Sequence, residues 1–242
     1  MEKLHEPIPP DRLKRNLETI RAKMAQALAK ASRSADAVRL VAVTKYVGLE
    51  EVRALRDLGV KDFGESRIQD AEKKIKELGP SAAELNWHLI GHLQTNKADK
   101  AAKLFRTVHS VDSLRVAQAL DKESRKLGKP PLLCLLEVNV AGEANKFGLP
   151  PESKVLSELL EQCAGLDGIK ITGLMSMAPY ADNPEPTSRP VFKKLRELFE
   201  ALNDKKVYPH ALTELSMGMT QDFDIAIEEG ATVIRVGSAL FE

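Results

Sequence analysis

Apolar, β-branched runs and amphipathic segments alternate along this chain. The apolar runs fall near residues 40–45, 60–63, 87–90, 107–111, 132–140, 169–175, 212–216 and 233–236. Each is short and bounded by polar or turn residues, as a buried strand is. Between them lie segments with helical spacing, at residues 50–58, 67–78, 96–104, 114–127, 152–164, 191–202 and 222–229. An earlier stretch, residues 11–31, puts Leu13, Leu17, Ile20, Met24 and Leu28 on one helical face, with Asp11 as the expected N-cap after Pro9 and Pro10.

Strands that alternate with helices predict βαβ units and a parallel sheet. Eight such strands fit a closed α/β architecture, the (β/α)8 TIM barrel, with helix 11–31 completing the outer ring after strand eight. An open doubly wound sheet is the alternative, but the first strand–helix loop lacks the glycine-rich phosphate fingerprint. No repeat or composition break divides the chain, so residues 1–242 are expected to form a single domain. Two loops stand out, residues 139–151 and residues 178–190, the latter with Pro179, Pro184, Pro186 and Pro190. Long loops at strand ends usually carry function or mobility.

Composition narrows the function classes. A formal charge of +1 provides no field for nucleic acid or an anionic membrane, and 5% aromatic residues supply no base-stacking platform. Cys134 and Cys163 have no metal-ligand spacing and read as core residues of a reduced, cytoplasmic protein. Residues 1–5 are charged and show no leader-like apolar stretch, and no apolar run reaches membrane-spanning length. Without a large apolar surface segment, a monomer is expected.

Chemistry concentrates at the carboxyl ends of the expected strands, where parallel α/β folds bind ligands. Lys45 closes strand one, and a buried lysine with a lowered pKa can form a Schiff base with an aldehyde. After strands seven and eight, Ser216 with Gly218 and Gly237 with Ser238 combine close backbone approach with a hydroxyl, as a phosphate site requires. Either pair alone reads equally as ordinary turn residues. Strand alternation sends Arg235 inward, because Ile234 and Val236 take the helix-packing face. It then needs an acceptor, either a carboxylate or a ligand heteroatom. His88 reads as a hydrogen-bonded barrel histidine, and His92, His109 and His210 show no metal spacing. Glu137 and Asn139 share a strand face, and the helix charges read as solvated faces.

These residues lie in ordered motifs: residues 42–45 (AVTK), 63–67 (FGESR), 87–97 (WHLIGHLQTNK), 138–139 (VN), 146–148 (KFG), 173–175 (GLM), 215–220 (LSMGMT) and 234–241 (IRVGSALF). On them the chain resembles the pyridoxal-5′-phosphate (PLP) homeostasis proteins, the YggS/PROSC family. The resemblance implies a barrel similar to the N-terminal domain of alanine racemase, with PLP held as a Schiff base on Lys45. It implies that Ser216, Gly218, Gly237 and Ser238 surround the phosphate, that Arg235 faces the pyridine nitrogen, and that Asn139 and Met175 lie near the ring. It also implies a PLP carrier or buffer, with PLP-requiring apoenzymes as possible recipients, rather than an enzyme with robust turnover. Ser66 stands where the family often has Asn, and Ser238 where it often has Thr.

The alternative is a PLP-dependent racemase or a related enzyme of the same fold. Racemisation needs a second acid/base opposite Lys45, and the second domain that supplies it in alanine racemase is not expected after strand eight. The tyrosines are Tyr46, Tyr180 and Tyr208. Alternation turns Tyr46 away from Lys45, and only Tyr180, in the proline-rich loop, has the reach. A lysine aldolase would place its lysine on strand six, where Gly173, Leu174 and Met175 stand instead.

Overall fold

The computed structural model describes residues 7–143 and 146–242. Residues 1–5 and positions 144 and 145 of the 139–151 loop lie outside the described residues. Eight strands, β1 (Arg39–Val43), β2 (Asp62–Glu65), β3 (Asn86–Leu89), β4 (Thr107–Val111), β5 (Leu132–Glu137), β6 (Ile169–Met175), β7 (Glu214–Ser216) and β8 (Val233–Val236), pair in sequence order into a closed barrel. All pairings are parallel, and β1 closes the ring against β8 with Val41 opposite Arg235.

The helices are α1 (Pro10–Lys30), α2 (Leu49–Asp57), α3 (Ile68–Leu78), α4 (Ala98–Leu104), α5 (Leu114–Lys126), α6 (Ser153–Cys163), α7 (Glu185–Lys205), α8 (Phe223–Glu228) and α9 (Ser238–Phe241). The apolar face read from residues 11–31 is buried at Leu13, Leu17, Ile20, Met24 and Leu28. That face packs on α8, α9 and α2, so α1 fills the ring position beside β8 and β1. Burying such side chains stabilises the fold by about 1.5–3 kcal/mol each. No described helix is long and apolar enough to cross a membrane.

Several boundaries differ from the sequence reading. Asp11 is not the N-cap of α1. The helix starts at Pro10, whose missing N–H is no loss at that position, and Asp11 sits in the first turn, where its charge favours the helix dipole. The stretch 178–190 is not loop throughout, since α7 begins at Glu185 and contains Pro186 and Pro190. Pro186 lies in the first turn, where no intrahelical N–H bond is needed, and Pro190 forfeits one bond. Around this point Arg189 pairs with Glu185 in its own helix and with Glu228 and Glu229 at the end of α8.

The barrel interior departs from the branched apolar filling common to this fold. At its amino end the inward positions are charged. Arg39 of β1 bonds Glu214 of β7 and lies 3.9 Å from Asp62 of β2, and Thr172 of β6 bonds Glu214. Helix charges are not all solvated either: Glu51, Lys74 and Asp121 are buried. Each has a partner, which is the condition for burying charge. Glu51 accepts from the Ile8 N–H, Asp121 accepts from the Gly168 N–H and pairs with Arg125, and Lys74 pairs with Glu65.

Candidate functional site

Lys45 lies two residues beyond β1, in a turn, rather than closing the strand. It is exposed, contrary to the expected buried amine, and its Nζ stands 4.8 Å from the ring centroid of Tyr46. The turn folds Tyr46 back beside Lys45 because strict alternation ends with the strand. Behind it the backbone is anchored. The Thr44 N–H donates to the Gly64 carbonyl, and the Thr44 hydroxyl donates to Glu65 Oε1 at 2.7 Å. The Lys74 ammonium donates to both Glu65 Oε1 and the Thr44 carbonyl, each at 2.6 Å. A buried ion pair therefore fixes the peptide that leads into Lys45.

Arg235 enters the barrel from β8, as alternation required, and is 4% exposed. Its Nη1 donates to Ser216 Oγ at 2.5 Å and its Nη2 to the Ser176 carbonyl at 3.0 Å. It forms no salt bridge among the described residues, so the carboxylate acceptor considered from the sequence is not what holds it. Burial lowers its pKa to about 10, opposed by the charges of Asp222 and Glu137, which leaves it cationic at neutral pH. A buried guanidinium has five N–H donors. Beyond the Ser216 and Ser176 bonds, the rest have no protein acceptor among the described residues.

The loops after β7 and β8 meet. Gly218 has φ +92°, and a Cβ there would lie 2.5 Å from Ala226 Cβ, so only glycine lets this turn pack on α8. Its carbonyl accepts from the Arg235 N–H. Asp222 ties the same loop down by accepting from the Met219 N–H and the Ser188 hydroxyl. Thr220 Oγ1 accepts from the Ala239 N–H and joins this loop to the Gly237–Ser238 segment. Ser238 is exposed and Gly237 partly so.

Other expected residues stand as follows. The Ser216 hydroxyl is wholly buried and engaged by Arg235 and His109, so it is not a free donor towards a phosphate. Met175 is buried at the end of β6, paired with Glu137 and Ser216. Asn139 spends its side chain on its own loop, donating to the Glu143 and Lys146 carbonyls and accepting from the Glu143 N–H. Glu137 is buried with Oε2 unpartnered. Its pKa is raised to about 7 by burial first and then by Asp112, against the pull of Arg235.

Sequence reasoning missed one feature. His88, read as a lone barrel histidine, and His109, read only as lacking metal spacing, form part of a continuous buried string. Asp62 Oδ1 lies 3.0 Å from His88 Nε2, His88 Nδ1 lies 2.9 Å from His109 Nε2, and His109 Nδ1 lies 2.9 Å from Ser216 Oγ. The period-two pattern held the signal, since each of these residues falls on the inward face of its strand.

An arrangement of this kind suits PLP: a lysine amine at one strand end, a buried cation without a carboxylate on the adjoining strand, and two joined glycine-bearing loops. Comparisons with known proteins agree. Residues 8–242 match the family model described as alanine racemase, N-terminal domain. A pyridoxal phosphate homeostasis protein from Aquifex aeolicus is 41% identical over 231 residues, covering 96% of each chain. One from Pseudomonas aeruginosa is 41% identical, covering 93% of each. The structure of PipY from Synechococcus elongatus with PLP bound is 37% identical, with a TM-score of 0.78 over 90% of this chain and 100% of that one. The fold alone is shared with alanine racemase from Clostridium difficile, at 16% identity and a TM-score of 0.71 over 95% of this chain and 56% of that one. With full-length relatives at this identity, the chain belongs to the pyridoxal phosphate homeostasis protein family, built on the barrel of the alanine racemase N-terminal domain.

Proposed function

We propose that this chain holds PLP covalently on Lys45 and acts as a carrier or buffer of the cofactor, with residues 1–242 serving as one binding domain. Arg235 faces the pyridine nitrogen. The backbone around Gly218 and Gly237, with the Ser238 hydroxyl, takes the phosphate, and Ser216 contributes through its backbone and through Arg235. Met175 and Asn139 lie beside the ring. PLP, when bound, supplies an electron sink for chemistry at an amino-acid α-carbon.

The observation that carries the reading is Arg235, a buried cation held by a hydroxyl and a carbonyl instead of a carboxylate. A guanidinium does not readily give up a proton, so it leaves the ring nitrogen unprotonated and the sink weak. Nothing described supplies the paired acid and base of a racemase. Tyr46 stands beside Lys45, and Tyr180 is 82% exposed. On this reading the protein is a cytoplasmic monomer without robust turnover, and PLP-requiring apoenzymes are its recipients. The buried, free cysteines suit a reducing compartment.

Borohydride reduction of the PLP-loaded protein followed by peptide mapping tests the assignment. Label on Lys45 is expected. Label on another lysine with Lys45 unmodified overturns it.

A further inference from the structure

The string that ends at Arg235 begins at the opposite end of the barrel. Its order is Asp62 (β2), His88 (β3), His109 (β4), Ser216 (β7), Arg235 (β8), with every contact between 2.5 and 3.0 Å. All five residues are buried, Asp62 the most exposed at 8%. At the amino end Asp62 also accepts from Asn86, faces Arg39, and lines a cavity of about 570 Å³ together with Arg39 and Lys61.

The ends dictate the direction of the protons. Arg235 can only donate. Asp62 is a carboxylate: burial would raise its pKa, but the His88 hydrogen bond, the charge of Arg39 and the Asn86 bond bring it below its ordinary value. Ser216 therefore accepts from Arg235 and donates to His109 Nδ1. His109 donates from Nε2 to His88 Nδ1, and His88 donates from Nε2 to Asp62. One proton serves each contact, and both histidines are neutral. Burial, reinforced by the nearby cations Arg235 and Arg39, holds His109 well below the ordinary histidine range. The opposite arrangement, with His88 cationic, would leave the Ser216 hydroxyl hydrogen without an acceptor at a fully buried position and add a second cation near Arg235.

We infer that Asp62, acting through His88, His109 and Ser216, is a remote positioning residue that turns the Ser216 lone pair towards Arg235 and so aims the guanidinium at the pyridine nitrogen of bound PLP. The inference rests on the proposed placement of Arg235 at that nitrogen. Asp62, His88 and His109 lie behind Ser216 in the string and are assigned no contact with the cofactor. Their effect passes along aligned hydrogen bonds, each polarising the next.

Two measurements test it. The first is nitrogen NMR of histidine-labelled full-length protein, without cofactor, at neutral pH. Protons on both Nε2 atoms and on neither Nδ1 are expected, and a protonated Nδ1 on His109 overturns the inference whatever PLP does. The second compares wild type with Asp62→Asn, which keeps the shape and removes the charge. Affinity for PLP should fall by about tenfold, the size of one weakened buried hydrogen bond. The absorption band of the bound cofactor should shift as well. Affinity for the 1-deaza analogue of PLP, which lacks the ring nitrogen, should stay within about twofold on the same scale. Equal losses for PLP and its deaza analogue, or no loss for either, overturn the inference while leaving Lys45 as the PLP residue. Failure of wild type to bind PLP at Lys45 is instead a failure of the functional reading.

Discussion

Lys74 Nζ lies 2.6 Å from the carbonyl oxygen of Thr44, the residue before Lys45. The contact reaches from α3 to the end of β1, and Glu65, on the neighbouring strand, completes it. Lys45, the lysine proposed to bear the cofactor, is exposed and long, so its placement depends on the peptide beneath it. Lys74 and Glu65 supply that base.

Removing one partner of this pair should be far worse than removing both. Lys74→Met leaves Glu65 charged and fully buried, and a loss of about 3–5 kcal/mol in urea unfolding is expected. Combining it with Glu65→Leu should recover most of the loss. Additive losses in the double variant would show that the two groups act independently.

Ser216 and Ser238 should respond differently to alanine. Ser216→Ala strips Arg235 and His109 of a buried partner, so about 1–3 kcal/mol of stability should go, and affinity for PLP and pyridoxal should fall together. Ser238 is exposed, and its replacement should leave stability within about 0.5 kcal/mol. It should weaken PLP by roughly tenfold and pyridoxal hardly at all. Parallel titrations with the two ligands decide between a ring contact and a phosphate contact.

Glu137 predicts a pH dependence of folding. Its folded pKa, about 7, lies above its ordinary 4.5. The native state therefore holds this proton more tightly than the unfolded state. Stability from the group is fully present below pH 4.5 and is lost as pH rises to about 7. The span corresponds to roughly 3–3.5 kcal/mol. Glu137→Gln should remove the slope, matching wild type in acid and exceeding it in urea unfolding above neutrality. A variant whose pH profile parallels wild type would assign the slope to other groups.

Neither cysteine should react while the protein is folded. Cys134 and Cys163 are 0% and 1% exposed. Burial raises both thiol pKa values, Cys163 to about 11 with Asp121 adding to the shift. Labelling by a thiol reagent should follow the rate or equilibrium of opening and should accelerate in denaturant in step with unfolding. Fast labelling in native buffer would require a local opening at β5 or α6.

The barrel was legible in the sequence because short apolar runs and helical faces alternate without interruption, and the inward turn of Arg235 followed from Ile234 and Val236 claiming the other face. Lys45 was placed at the right end of β1, although strand pairing stops two residues before it. The start of α7 was hidden because Pro186 and Pro190 read as loop residues, yet a helix accepts proline in its first turn and can survive one missing bond. The string from Asp62 to Ser216 joins residues 107 positions apart at its widest step. Alternation could put each member on an inward face, but only the closed ring brings them into contact. Lys74 looked like a solvated helix charge because its acceptors lie on two other segments.

The polar column inside the barrel also bears on how the protein could be hardened against heat. Satisfied buried charges seldom contribute more than well-packed hydrocarbon of the same volume, and exchanging them together is often neutral or favourable. Replacing Asp62, His88 and His109 as a group with shape-matched Leu, Met or Phe should therefore cost little beyond the about 1–3 kcal/mol of the Ser216 hydroxyl left without its acceptor, provided the new side chains fill the space without strain. The ring would close as before, and the loops beyond β7 and β8 would keep their packing. On the inferred role of the string, what such a variant would forfeit is the aim of one guanidinium, so thermal tolerance and grip on the cofactor would part company along a single axis of the molecule.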